Sequence, residues 1–138
     1  MNRVESFIAN NQVLFTTNLL NEEEVKEIES VMSVKIGNKL KEYIIKYGFL
    51  SFEHIELYGI NSKQGTNSDM VKTTLMVHEY YPSTKSMIVL ENRGDGDYIL
   101  VDNADNIYEL DTSINTNVIP LNKGLFDYII DRFEECQN

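Results

Sequence analysis

Three apolar runs, Met87-Ile88-Val89-Leu90, Tyr98-Ile99-Leu100-Val101 and Ile107-Tyr108-Glu109-Leu110, follow one another with only turn chemistry between them. Gly94-Asp95-Gly96-Asp97 supplies the first bend, where glycine takes positive φ without steric cost. Asn103-Ala104-Asp105-Asn106 supplies the second, because Asn and Asp tolerate left-handed geometry and bond their own backbone. Connections this short join antiparallel neighbours. The first two runs do not alternate, which is the pattern of strands covered on both faces.

Helical spacing dominates the first third. Asn21-Glu22-Glu23-Glu24 has the form of a capping box, and Val25, Ile28 and Met32 recur behind it, which predicts a helix over 21–33. Leu40, Tyr43, Ile44 and Tyr47 fall at i, i+3, i+4, i+7 and predict a second over 37–47, with Gly48 as a left-handed C-cap. Partial alternation in 49–60 places a strand around 54–58, followed by a loop from Asn61 to Asn67. Ser68 or Asp69 caps a helix with Met70, Val71, Thr74, Leu75 and His78 on one face, ending before Pro82. Val118-Ile119 adds a short edge strand, and Asn122 caps a last helix carrying Phe126, Ile129, Ile130 and Phe133. The expected fold class is α+β: N-terminal helices, a central, mostly antiparallel twisted sheet and a C-terminal helix, in one domain over 1–138.

Residues 91–111 hold seven carboxylates against one base, Arg93, within a chain of net charge −10. Solubility alone accounts for much acidic composition. The alternative is a surface built for a positively charged partner, with Glu91, Asp95, Asp97, Asp102, Asp105, Glu109 and Asp111 on the hairpin and Glu53, Glu56 and Tyr58 on a nearby strand. Strand faces alternate, so not all of these reach one partner. Asp95, Asp97 and Asp105 at the turns are expected to steer association, and a buried acid with Tyr58 to hold the complex. Tyr58, Tyr80, Tyr81, Tyr98 and Tyr108 fit a protein-binding face, and equally rings that pack on the sheet with wet hydroxyls. The charge repels phosphate, which argues against direct nucleic-acid or anionic-membrane binding. No apolar run approaches the ~20 residues of a membrane span. A first segment without secretory features and a single Cys136 point to the cytoplasm.

Catalytic signals are weak. His54 and His78 are the only histidines, too few to found a zinc site with Cys136 remote in sequence. Asp95 and Asp97 start a calcium-loop spacing that Ile99 breaks. No serine sits in a nucleophile elbow, and Gly94-Asp95-Gly96-Asp97 lacks the Lys-Ser/Thr ending of a phosphate loop. The pair Glu53 and Glu56 is uninformative among so many acids, and Arg93-Gly94-Asp95 is bend chemistry before it is an adhesion motif. No catalytic residue, metal or cofactor is expected.

Val25-Lys26-Glu27-Ile28-Glu29, the Tyr43-containing helix ending at Gly48, and Ile55-Glu56-Leu57-Tyr58-Gly59 form a familiar order. With Ile88 to Tyr98 as a middle strand pair about a Gly-Asp turn, the chain resembles the SUKH superfamily, and in particular its small members from Gram-positive bacteria. It departs from the family at Ile36-Gly37-Asn38, where a Leu-Pro pair often precedes the second helix. The resemblance implies a SUKH-like fold and an immunity protein that neutralises a cognate polymorphic toxin, often a basic nuclease. It implies as runner-up a regulatory adaptor, as in fungal members.

Overall fold

The computed structural model describes residues 3–16, 20–62 and 64–137. Three helices come first, α1 (Arg3–Asn10), α2 (Glu22–Met32) and α3 (Asn38–Tyr47), followed by a small antiparallel hairpin of β1 (Leu50–Phe52) and β2 (Ile55–Leu57). Helix α4 (Asp69–Tyr80) leads to an antiparallel meander in the order β3 (Ile88–Gly94), β4 (Asp97–Val101), β5 (Asn106–Asp111) and β6 (Ile119–Gly124), and α5 (Leu125–Glu135) closes the chain. This is the expected α+β arrangement of helices around a central sheet.

The local signals act as their chemistry predicts. Asn21 Oδ1 accepts from the Glu24 amide at 2.9 Å and Glu24 Oε1 from the Asn21 amide at 3.0 Å, completing the capping box. Gly48 ends α3 at φ 73. Between β3 and β4, Asp95 and Gly96 both take positive φ, the geometry that matches strand twist in two-residue hairpins.

Both faces of the meander are covered. Ile88, Leu90, Ile99, Val101 and Ile107 join the main core with the helices α1, α2, α3 and α5 and the small hairpin. Val89, Leu100 and Leu110 face the other way, against Val77 of α4 and Met87. Two polar residues on the buried side of α4 serve the β3 backbone: Thr74 Oγ1 accepts from the Val89 amide at 2.9 Å, and His78 Nε2 lies 2.7 Å from the Met87 carbonyl.

Two expectations need correction, and one helix arises that the sequence pattern did not announce. Leu75 is exposed on α4 and Val77 is buried in its place, because the stripe set by Met70, Val71, Thr74 and His78 turns Leu75 outward. Asn122 does not cap α5; it sits in β6 at φ 59, and Gly124 is the N-cap. Helix α1, which no periodicity announced, inserts Phe7 against Phe52 and Phe133, with ring centroids 5.0 and 5.5 Å away.

The missing caps are supplied from a distance. Gly37, at the N-cap of α3, makes no side-chain cap bond. Asp105, from the β4–β5 turn, takes that role: its carboxylate accepts from the Lys39 and Leu40 amides at 3.1 and 3.0 Å. A Cβ at position 37 would lie 2.5 Å from Asp105 Oδ1, so glycine is there for space. The Asp105 carbonyl also accepts from the Leu125 amide at 2.9 Å, so one residue tethers the starts of α3 and α5 to the sheet.

Two stability changes test this packing. Phe133 is fully buried among aromatic rings, and Phe133→Ala should cost about 3–5 kcal/mol in urea unfolding. Asp105→Ala leaves two helix-start amides unpaired and should cost about 1–3 kcal/mol. Asp105→Asn should recover part of that loss, since Asn keeps an acceptor and tolerates the φ of 64 seen at this position.

Candidate protein-binding surface

The exit of β2 is pinned from two sides. Tyr43, buried in α3, donates its hydroxyl to the Tyr58 carbonyl at 2.8 Å, and burial pushes that hydroxyl well above its ordinary pKa, so it stays a donor. The Ile60 amide donates to the Gly48 carbonyl at 2.6 Å, and any Cβ at Gly59 would collide with that same oxygen. On the other side the Tyr58 amide donates to the Leu90 carbonyl at 2.6 Å, which joins the small hairpin to the meander.

Glu56 and Tyr58 are thereby fixed as a ridge between two open cavities. One, of about 310 Å³, is lined by Leu14, Phe49, Leu57 and Asp69 among others; the other, of about 320 Å³, by His54, Asn92, Arg93 and Arg132. Glu56 and Tyr58 line both.

A bulge in β3 shapes the second cavity. Glu91 pairs with Ile99 while Val89 pairs with Leu100, so Leu90 and Glu91 together oppose one position of β4 and both turn towards the main core. Glu91 is 2% exposed, accepts from the Tyr128 hydroxyl at 2.6 Å and forms a two-pronged pair with Arg132 at 2.9–3.2 Å. Burial opposes the Arg132 charge, but the bonds and field of Glu91 outweigh it and raise the guanidinium pKa; burial and Glu91 likewise raise that of Tyr128.

Farther along the same face stand Asp97, Glu109 and Asp111, with Asp97 paired to Asp111 and Ile99 to Glu109. Like charges this close on neighbouring strands are destabilising. Partial burial, with a hydrogen bond and charge from Glu109, pushes the Asp97 carboxyl up to about 6 against the pull of Arg93, whose Nε is 3.8 Å away. Asp95 projects exposed at the turn and Glu53 at the β1–β2 turn.

Other acids on the hairpin are committed inside the molecule. Glu91 and Asp105 are buried with their oxygens bonded to Arg132, Tyr128 and the α3 amides, so neither is offered to a partner, contrary to expectation. Asp102 accepts from the Ala104 and Asn106 amides and the Tyr108 hydroxyl; burial works against its charge, but these bonds prevail and lower its pKa. Tyr58, Tyr81, Tyr98 and Tyr108 pack half-buried on the sheet face of Leu100 and Leu110, and Tyr80 is exposed. Arg132 and Leu14 carry no motif, and Arg93 and Asp69 stand out in sequence only as bend and cap residues, so only the fold reveals their place beside Glu56. Cys136 Sγ lies 3.9 Å from His54 Nδ1, a proximity that sequence separation hid. Among the described residues no three His, Cys, Asp or Glu side chains gather as a metal site, and no helix is long and apolar enough to cross a membrane.

A family model described as SMI1-KNR4 cell-wall, SUKH_5, matches residues 2–131. The chain belongs to the SUKH superfamily. No curated protein matches it. Within this SUKH chain the matched span runs from α1 into α5 and takes in the Glu56–Tyr58 ridge and all four strands of the meander. The family is consistent with an immunity-type, protein-binding role.

The Asp97 cluster has a measurable signature. The folded chain holds this proton up to about pH 6, whereas an unperturbed aspartate releases it near 3.8. Folding therefore loses stability as pH rises across that window. Asp97→Asn removes the penalty: its melting temperature should exceed that of the parent above pH 7, with the gap closing below pH 4.

Proposed function

We propose that this SUKH protein is an immunity protein that binds and neutralises a cognate toxin, without turnover, in the cytoplasm of the producing cell. The observation that carries the reading is the family match over residues 2–131, with its link to immunity-type proteins. A basic nuclease domain is the partner class that the net charge of −10 favours.

The surface supports a division of labour. Asp95, exposed at the hairpin tip, with Asp97, Glu109 and Asp111 behind it, steers a cationic partner into place. The Glu56–Tyr58 ridge holds the complex. It stands on a backbone tied to α3 and β3, so little order is lost on docking, and tyrosine contributes broad contact area with few rotatable bonds. Glu91 acts behind this surface by locking Arg132 against β3. The protein works as one domain over 1–138 and needs no cofactor. A regulatory adaptor role is the second reading, favoured by the SMI1-KNR4 cell-wall description of the family.

Co-expression with the toxin encoded beside it should restore growth in proportion to the dose of this protein, and the toxin should be recovered intact in a stable complex. A cleaved or covalently altered toxin would overturn a purely binding role. In the purified complex, Asp95→Lys/Asp97→Lys should slow association and flatten its salt dependence while leaving the fold unchanged. Rates unaltered at low and moderate salt would move the interface off this hairpin.

A further inference from the structure

The cavity between Leu14, β2 and the start of α4 differs from its neighbour in charge. Its lining includes two carboxylates, Glu56 and Asp69, two aromatic rings, Phe49 and Tyr58, and the aliphatic Leu14 and Leu57, with no basic residue among the described residues. Glu56 and Asp69 are both exposed, and no hydrogen bond or ion pair to a side chain neutralises either among the described residues. Across the ridge, by contrast, the lining includes Arg93 and Arg132, the latter paired with Glu91. At about 310 Å³ the cavity is at the low end of the ~300–1,000 Å³ usual for small-molecule sites, a size that suits one long side chain.

We infer that this cavity receives a single arginine side chain from the partner protein. The planar guanidinium suits aromatic walls by stacking and carboxylates by forked hydrogen bonding, and it sheds water more readily than an ammonium. The aliphatic stem lies against the exposed side chain of Leu14. Leu14 is held at the rim by two backbone bonds with Ser51, at 2.8 and 3.0 Å, so its 67% exposed side chain is presented by a fixed backbone. The pocket rests on the proposed toxin-binding role, for which it names the anchor residue.

The test titrates the intact protein with the peptide acetyl-Gly-Ser-Arg-Ser-Gly-amide and follows backbone amide signals by NMR. Saturable shifts are expected at Leu14, Phe49, Leu57, Gly59 and Asn61. The same peptide with citrulline, neutral but nearly isosteric, should bind at least tenfold more weakly. Glu56→Gln/Asp69→Asn should weaken the arginine peptide at least tenfold, with the remaining spectrum showing an intact fold. No saturable response at these amides, an equal response to citrulline, an unchanged double variant, or lysine bound as tightly as arginine would each overturn the assignment. Rescue from the toxin together with a failed titration would sink the pocket alone. A successful titration without toxin recovery would sink the immunity reading alone.

Discussion

Asp105 is the residue on which the relative placement of sheet and helices depends. Its carboxylate caps α3 across a separation of some 65 residues, and its carbonyl receives the first amide of α5. Helix starts concentrate partial positive charge and unpaired donors. A buried carboxylate at the α3 start satisfies donors that local sequence leaves open, and the carbonyl of the same residue does so at the α5 start. With α3 and α5 anchored to the same turn, their apolar stripes meet the inner face of the meander. The space this needs is opened by Gly37, whose missing Cβ admits the carboxylate.

The buried Glu91–Arg132 pair works on the same logic at the other end of β3. A charged pair away from water is seldom a net gain in stability over apolar packing, and its stronger effect is to penalise any arrangement that separates the partners. Here it ties the bulge of β3 to the last turn of α5, with Tyr128 filling a further acceptor site. The surface beyond it, with Arg93, Asp97 and Glu109, inherits its position from this lock. The strain lies instead in the half-buried acids: Asp97, Glu109 and Asp111 crowd together at some cost to folding, which is the expected mark of residues retained for something other than stability.

The local elements were legible because their causes are local. A capping box, an i, i+3, i+4, i+7 stripe and a two-residue glycine turn each act within a few residues, and α2, α3, β3, β4 and β5 formed close to where those signals lay. Helix α1 was not legible, because Phe7 finds its partners only in Phe52 and Phe133, far along the chain. The start of α5 was misplaced because its first amide is satisfied by Asp105 and not by a neighbouring side chain.

By itself the sequence determined an acidic α+β chain with an antiparallel meander, the membership that its motifs carry, and Glu56 and Tyr58 as surface candidates. Only the tertiary structure decided what each carboxylate does. Composition counts charges without regard to their neighbours, and a carboxylate's role depends on what lies within a few ångströms of its oxygens. Asp105 and Glu91 met amides and a guanidinium and became scaffold; Asp102 was spent on its own turn; Asp97 met other acids, half-buried between them. Among the described residues Glu56 met no cation on one side, beside Asp69 and Phe49, and that contrast is a property of three segments brought together by folding.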